Sequence, residues 1–339
     1  MSTLKDVAAL AGFSTATVSL ALNGKTVNEE TRRLVISCAK QLNYVPNRIG
    51  RTLITGETHA ILMVILNSTR YTNLVVDNTF FYNYIEGVLE SAGKLGYSVT
   101  FDVRNWEDYD LDNFFYQKSH GKSVDGIIII PQYERPMPFL KVLDSFPFVV
   151  LNSHIKDEKI ASFRVDNYLG GRLIARYMQK CGYKSIAFIN GPEEHYDTSE
   201  RRRGFFDVFQ TTSESKPEII EDSGDLTIRC GFEAAERIFT EKQVDAVFCG
   251  NDFMASGVLR YLCKQGLRVP EDVSLIGYDN MGLSKAIYPR LTTVDGRLSE
   301  IGFGLGEMLL SHIEGTSVEE PSEPLKPKLI IRESSRPNN

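Results

Sequence analysis

Leu4-Lys5-Asp6-Val7-Ala8-Ala9-Leu10-Ala11-Gly12-Phe13-Ser14-Thr15-Ala16-Thr17-Val18-Ser19-Leu20-Ala21-Leu22-Asn23-Gly24 is the stretch from which the rest of the chain is read. Leu4, Val7, Ala8 and Ala11 fall at i, i+3, i+4 and i+7, one face of a short helix, and Gly12 stops it with a residue that accepts positive φ. Ser14 stands at the N-cap of a second helix, its hydroxyl placed to accept from an orphan backbone N–H, and Val18 and Leu22 carry that helix's inward stripe. Two short helices joined through a glycine-containing turn form the helix-turn-helix that sets its second helix in the major groove of DNA. The same hairpin also occurs as a plain core element.

A third helical pattern follows. Asn28 is its cap, Glu29 and Glu30 complement the dipole of its first turn, and Val35, Cys38, Ala39 and Leu42 make its apolar face. Pro46 then sits at the start of the short piece from Asn47 to Ile54, which is too short to stand as a helix alone. Gly50 in its middle costs about 1 kcal/mol relative to Ala. This piece is expected to fold only when something holds it.

Lys5-Asp6-Val7-Ala8, Ser14-Thr15-Ala16-Thr17-Val18-Ser19, Asn28-Glu29-Glu30-Thr31-Arg32, Asn43-Tyr44-Val45-Pro46-Asn47 and Arg51-Thr52-Leu53 together resemble the lactose-repressor (LacI/GalR) family of bacterial transcription regulators. The resemblance implies a recognition helix that meets bases near Thr15, Ala16 and Leu20, within a DNA-binding set of Thr15, Ala16, Thr17, Ser19, Leu20, Asn23, Asn47, Arg51 and Leu53. It also implies a hinge-helix leucine, Leu53, that wedges into the minor groove and bends the duplex. Two departures stand out. Leu20 occupies a position that often carries a polar or basic side chain, and it can meet a thymine methyl but not hydrogen-bond a base edge. Gly50 and Ile54 replace what are commonly Ala and a basic residue, so the free hinge should be weaker and its phosphate contacts fewer.

At 339 residues the chain is too long for one ordinary domain and suggests a small domain plus a two-lobed one. With 42% hydrophobic and 24% charged residues it has the make-up of a soluble globular protein. No run of 18 apolar residues and no signal-type leader is visible, which predicts a cytoplasmic protein that does not enter a membrane. Cys38, Cys181, Cys230, Cys249 and Cys263 are scattered without a CxxC pair and read as reduced core thiols, and no metal and no cofactor is expected. The net charge of −6 hides a division: the first 60 residues carry seven basic against four acidic side chains, +3, leaving −9 for the rest. The positive end is the one that should meet phosphate.

From Ala60 the sequence alternates apolar runs with helical patterns. Strands are expected over 60–66, 98–103, 124–131 and 148–151, with a helix over 80–95. A second series opens with a strand over 162–165 and continues with a helix over 167–180, a strand over 185–189, helices near 199–209 and 228–239, a strand over 246–249, a helix to 265 and a strand over 274–278. Near-continuous apolar strands separated by helices indicate parallel sheets covered on both faces. The expected fold is therefore an all-α helix-turn-helix head plus an α/β body of two doubly wound parallel-sheet lobes, periplasmic-binding-protein-like by the same family resemblance. The domains are 1–45 for the head, 46–57 for hinge and linker, and 58–339 for the body, with lobe one about 60–161 and 293–320 and lobe two about 162–292 and 321–333. The polar tail from Arg332 is expected to be disordered, and Gly87 to Gly96 read as spacing accidents in a helix and its stop.

Ligands of such folds bind beyond the carboxyl ends of the strands. Arg201, Asn251 and Asp279 fall there, and a guanidinium, a carboxamide and a carboxylate suit vicinal hydroxyls; the family resemblance places effector contacts at the same three positions. The bland alternatives are that Asp279 caps the next turn and that Asp252 caps the helix at Phe253. Phe80 and Phe81 match an aromatic pair that the family sets at the cleft, core packing being the ordinary alternative. The 67–79 segment is longer than the family usually shows. The partners expected are double-stranded DNA with a pseudo-palindromic operator, a small-molecule effector and a second copy of the chain, with dimer and higher oligomer both left open. A sugar or sugar derivative leads as effector, with a purine or other metabolite, or no small molecule at all, as the alternative. An exported solute-binding protein would have no use for the first 54 residues. No glycine-rich phosphate loop, GxSxG or metal spacing suggests an enzyme.

Overall fold

The computed structural model describes residues 2–22, 27–45, 56–68, 81–131, 133, 135–151, 162–211, 216–316 and 323–336. Asn23, Asn47, Arg51, Leu53 and Phe80 lie outside the described residues, as do positions 46–55 of the hinge and 69–79 of the long segment. The chain divides into two compact units, Met1–Thr58 and His59–Asn339.

The first unit holds α1 (Leu4–Ala11), α2 (Thr15–Leu22) and α3 (Glu29–Gln41). Each starts on the residue type that satisfies orphan N–H groups. Thr3 and Asp6 form a reciprocal capping box on α1, Ser14 Oγ accepts from Thr17 N at 3.1 Å, and Asn28 Oδ1 accepts from Thr31 N at 2.7 Å. Gly12, at φ 73°, ends α1 as expected. Val7, Ala8, Ala11, Val18, Ala21, Val35, Cys38 and Ala39 make one small core, with Leu22 and Leu42 packed against it.

The second unit contains two parallel sheets. The first runs in the order β2-β1-β3-β4-β5, with β1 (Ala60–Asn67), β2 (Ser98–Asn105), β3 (Gly126–Pro131), β4 (Phe148–Leu151) and β5 (Ser162–Phe163). Covering it are α4 (Phe81–Lys94), α5 (Leu111–His120) and a 3-10 turn at Pro138–Leu143. Strands β1 and β3 are buried on both faces, whereas β2 is an edge strand that leaves Phe101 and Val103 exposed. Ser162–Phe163 pairs with Leu151 and Val150 at the end of this sheet, so it closes the first lobe and does not open the second. A two-residue strand has too little apolar pattern to declare which sheet it joins.

The second sheet has the order β7-β6-β8-β9, with β6 (Ser185–Asn190), β7 (Glu218–Ser223), β8 (Ala246–Cys249) and β9 (Ser274–Ile276). Its helices are α6 (Asn167–Cys181), α7 (Tyr196–Thr211), α8 (Ile228–Glu241) and α9 (Asp252–Lys264). Strand β7 was not legible because its sequence, Glu-Ile-Ile-Glu-Asp-Ser, is that of a solvated edge. After the short α10 (Gly282–Ala286), β10 (Thr293–Asp295) pairs antiparallel with β11 (Lys328–Ile330), and α11 (Leu298–Glu314) returns to cover the first sheet as expected.

Two expectations fail here for a physical reason. The tail from Arg332 is not loose as far as it is described: Ser334 is 1% exposed, its Oγ donates to Leu275 O at 2.5 Å, and Leu275 N donates to Ser334 O at 2.7 Å. Its polar side chains serve the open edge of β9 instead of water. Nor is Gly87 an accident, because a Cβ there would lie 2.0 Å from Ser299 O, and one at Gly302 would lie 2.1 Å from Tyr84 O. Reciprocal glycines likewise let α6 cross α7 at Gly171 and Gly204, and α8 cross α9 at Gly231 and Gly257. Core burial holds for Cys38, Cys230 and Cys249, while Cys181 is half-buried and Cys263 exposed, all five as free thiols.

Gly87→Ala is expected to lower the stability of the body by at least 1–3 kcal/mol, since the obstruction is backbone and cannot swing away. Gly93→Ala on the same helix meets nothing within 4 Å and is expected to raise it by about 0.5–1 kcal/mol. Urea midpoints of the two variants measured side by side check the pair; equal midpoints would refute the close-crossing argument.

Candidate ligand site and nucleic-acid interface

Arg201 lies on α7, which Gly171 and Gly204 let sit directly on α6. Its guanidinium is 4% exposed and each of its nitrogens has a separate partner. Nε donates to Asn167 Oδ1 at 2.8 Å, Nη1 to Gly250 O at 2.6 Å and Nη2 to Asp279 Oδ1 at 3.2 Å, while its carbon stands 3.7 Å from the centre of the Tyr278 ring. Asn167 Nδ2 donates in turn to Asp197 Oδ1 at 2.9 Å. Burial pulls the Arg201 pKa down, but Asp279, Tyr278 and Asp197 more than offset it, so the group stays charged.

Asp279 follows β9 at φ 100°, and its neighbour Asn280 has φ 52°. Such backbone is costly for a side chain other than glycine and collects at functional sites. Burial raises the Asp279 carboxyl to about 6, against the opposing pull of Arg201. Its Oδ1 is taken by Arg201, and its Oδ2 has no hydrogen bond among the described residues. Tyr84, fully buried on α4 of the first lobe, faces this cluster: burial first, then Asp197 and Asp279, push its phenol well above the ordinary value. Both lobes thus contribute to one polar centre.

The two residues at the start of α9 depart from expectation: the cap falls to Asn251 and not to Asp252. Asn251 is the cap, its Oδ1 accepting from Met254 N at 2.8 Å while Nδ2 donates to Leu226 O at 2.9 Å, so both ends of the carboxamide are committed to backbone. Asp252 is fully buried and accepts from Met281 N at 2.7 Å and Thr293 Oγ1 at 2.6 Å, tying α9 to the segments that cross between lobes. Phe81 packs in the first-lobe core, as its ordinary alternative reading had it.

Sequence reasoning missed a second group at the strand ends. Asn67 closes β1 and Asn190 closes β6, and both side-chain oxygens are buried without a partner among the described residues. Trp106 Nε1 and His195 Nδ1 are buried in the same condition. Burial also lowers the His195 pKa, which keeps its ring neutral. The His195 ring meets Tyr133 of the first lobe edge-on with centroids 5.9 Å apart, and Trp106 packs against the cores of both lobes. A buried polar atom without a partner calls for an explanation, and a ligand is one. The strand-end rule applied to β1 and β6, as it was to β8 and β9, would have found both asparagines.

On the head, Thr15, Ala16 and Leu20 are exposed along α2, while Thr17 and Ser19 are half-buried. Ser14 Oγ and Thr17 Oγ1 bond each other at 2.9 Å, so Thr17 serves the cap. Among the described residues no helix is long and apolar enough to cross a membrane and no group of His, Cys, Asp or Glu could hold a metal.

Residues 3–47 match the family description "Bacterial regulatory proteins, lacI family", and residues 175–335 match "Periplasmic binding protein-like domain". The HTH-type transcriptional repressor PurR of Klebsiella pneumoniae subsp. pneumoniae is 32% identical, with 98% of this chain and 97% of that protein covered. Among solved structures, the lac repressor dimer bound to operator and the anti-inducer ONPF is similar at 25% identity and a TM-score of 0.77, covering 98% of this chain and 99% of that one. A transcriptional regulator CelR–cellobiose complex is similar at 28% identity and 0.69, covering 99% and 100%.

Arg201→Met is expected to cost about 3–5 kcal/mol, because it leaves Asp279 as a buried charge without its partner. Arg202→Met, which breaks a half-exposed pair with Glu221, is expected to cost no more than about 1 kcal/mol. Chemical denaturation of both variants checks the contrast, and similar losses would remove Arg201 from the centre of the site.

Proposed function

The chain belongs to the LacI family of bacterial regulatory proteins, and from that premise we propose a cytoplasmic homodimer whose grip on a pseudo-palindromic operator is set by a sugar or sugar derivative held between its lobes. The protein is a DNA-binding transcriptional repressor with an effector-binding body, and it is not an enzyme.

The observation that carries the sugar reading is the mixture of polar atoms left at the strand ends. Asn67 Oδ1, Asn190 Oδ1 and Asp279 Oδ2 are acceptors, Trp106 Nε1 is a donor, and His195 Nδ1 serves in either role. A hydroxyl is donor and acceptor at once, so a polyol answers such a set without leaving any member unmatched. At the ends of β6 and β7 a hollow of about 520 Å³ is lined by Glu193, Glu194, Asp225 and Glu233 together with Arg237, whose guanidinium is paired with Asp222; four carboxylates against one paired cation favour an uncharged sugar over a phosphorylated one. The cellobiose complex of the CelR neighbour supports the same class. A second reading, a purine, is favoured by the flat rings of Trp106, Tyr133 and His195 gathered at the same place.

Tyr84, Trp106 and Tyr133 come from one lobe and Arg201, Asp279 and His195 from the other. A ligand that touches both sets binds one lobe arrangement better than another and shifts the population toward it. That shift changes the relation between the two first lobes of the dimer and so the spacing of the hinges, which links effector and operator reciprocally. Asn47, Arg51 and Leu53 are the proposed hinge contacts, with Thr15, Ala16, Thr17, Ser19, Leu20 and Asn23 on the head. The dimer face is edge strand β2, whose Phe101 and Val103 are 46% and 45% exposed, with exposed Leu89 on the neighbouring α4.

Gel shifts on DNA from the protein's own promoter region, with and without a panel of pentoses, hexoses, disaccharides and nucleobases, test the proposal: one sugar should change the midpoint several-fold. Asp279 adds a pH signature. A ligand hydroxyl donates to the ionised carboxylate, so sugar affinity is expected to fall as pH drops through about 6 and to lose that dependence in Asp279→Asn. A nucleobase as the sole active compound would install the second reading. For the dimer, Phe101→Asp is expected to convert the species seen in sedimentation at micromolar concentration to monomer; an unchanged dimer would move the interface elsewhere.

A further inference from the structure

The face that α2 turns outward carries no charge and no carboxamide. From Thr15 to Leu22 the sequence is Thr-Ala-Thr-Val-Ser-Leu-Ala-Leu. Val18 and Ala21 are buried, Leu22 packs on the core, and the hydroxyls of Ser14 and Thr17 are bonded to each other. What remains outermost is Thr15, Ala16 and Leu20, the last 41% exposed. Their outward groups are methyls and one hydroxyl. The described cations of the head, Lys5, Arg32, Arg33 and Lys40, all sit on α1 and α3, where they suit phosphates, which fix position without reading sequence.

In a helix-turn-helix the N-terminal part of the second helix meets base edges in the major groove. Specific pairing with guanine there takes Arg or Lys, and with adenine Asn or Gln, while the only apolar mark on the groove floor is the C5-methyl of thymine. None of these bidentate readers is present on α2, where the one exposed hydroxyl, that of Thr15, pairs with any base and so does not discriminate. We propose that this protein reads its half-site through pyrimidine C5-methyl groups, with Leu20 and Ala16 as the specificity-determining residues, so that the base pairs beneath α2 are A·T with thymine presenting its methyl. This rests on the reading of the protein as a DNA-binding regulator, and it adds the chemistry of the bases that are read. Leu20 is exposed and is not among the residues of the head's core, so changing it tests recognition more than stability.

The test takes the full-length protein through selection from a randomised duplex library, then measures affinity on the selected duplex with each thymine replaced singly by deoxyuridine, which removes the methyl and keeps the pairing. Removing a buried methyl is expected to weaken binding about fourfold, and about fifteenfold when both half-sites are altered. Leu20→Ala should abolish the penalty at one thymine per half-site and leave the others. Leu20→Arg should shift the selected base at that position toward guanine. A selected consensus with G·C under α2, or deoxyuridine replacements that change nothing, overturns methyl reading while leaving a sequence-specific regulator. No enrichment of any sequence overturns the regulator reading itself and this inference with it.

Discussion

A guanidinium shut away from water holds three segments of the body together at the proposed ligand site. Arg201 reaches three separate segments, the start of α6 through Asn167, the turn after β8 through Gly250 and the turn after β9 through Asp279. Each of those segments lies beyond the regular strands, where the chain turns and the ladder of backbone hydrogen bonds breaks off. A buried charge in such a place is tolerated only when every donor is matched, and the fan of hydrogen bonds around Arg201 meets that condition. The left-handed backbone at Asp279 persists because the ion pair and the bond from its own N–H to Val294 O leave it no alternative.

That arrangement depends on helices that nearly touch. With ordinary side chains at Gly171 and Gly204, α7 would stand off α6, and Arg201 would fall short of Asn167. The same device at Gly87 and Gly302 brings Tyr84 into position from the other lobe. The absent Cβ atoms therefore shape the proposed ligand site, although these glycines meet only backbone atoms. Asp252 performs a related task between the lobes, since its two oxygens bind the backbone of Met281 and the hydroxyl of Thr293, one before and one within the segment that crosses.

The two ends of the molecule divide their chemistry. The head is small, positively charged overall and apolar on its outward helix; the body is acidic overall and keeps its most elaborate hydrogen bonding buried. On the proposed reading, such a regulator takes its general affinity for DNA from cations outside the reading helix and its choice of sequence from methyl contact. It reserves directional polar recognition for the small molecule. Salt and effector then act on separable parts of the same equilibrium.

Much of this was legible from residue order alone. Periodicity and capping residues located α1, α2 and α3 to within a residue, because a helix start depends on the side chain at one position and the stripe that follows it. The buried strands β1, β3, β6 and β8 declared themselves as unbroken apolar runs, and Arg201 and Asp279 stood out by their place after strands. Edge strand β7, the sheet that β5 joins and the bonded tail did not, since each is decided by a neighbour distant in sequence. Asn251 and Asp252 show the same limit: adjacent polar residues at a helix start have equal claims to the cap until the fold puts Leu226 O beside one and Thr293 beside the other. Local order decides what a segment can become; only the folded chain decides which distant groups it must satisfy, because hydrogen bonds and close helix crossings are set by geometry that no short window of sequence contains.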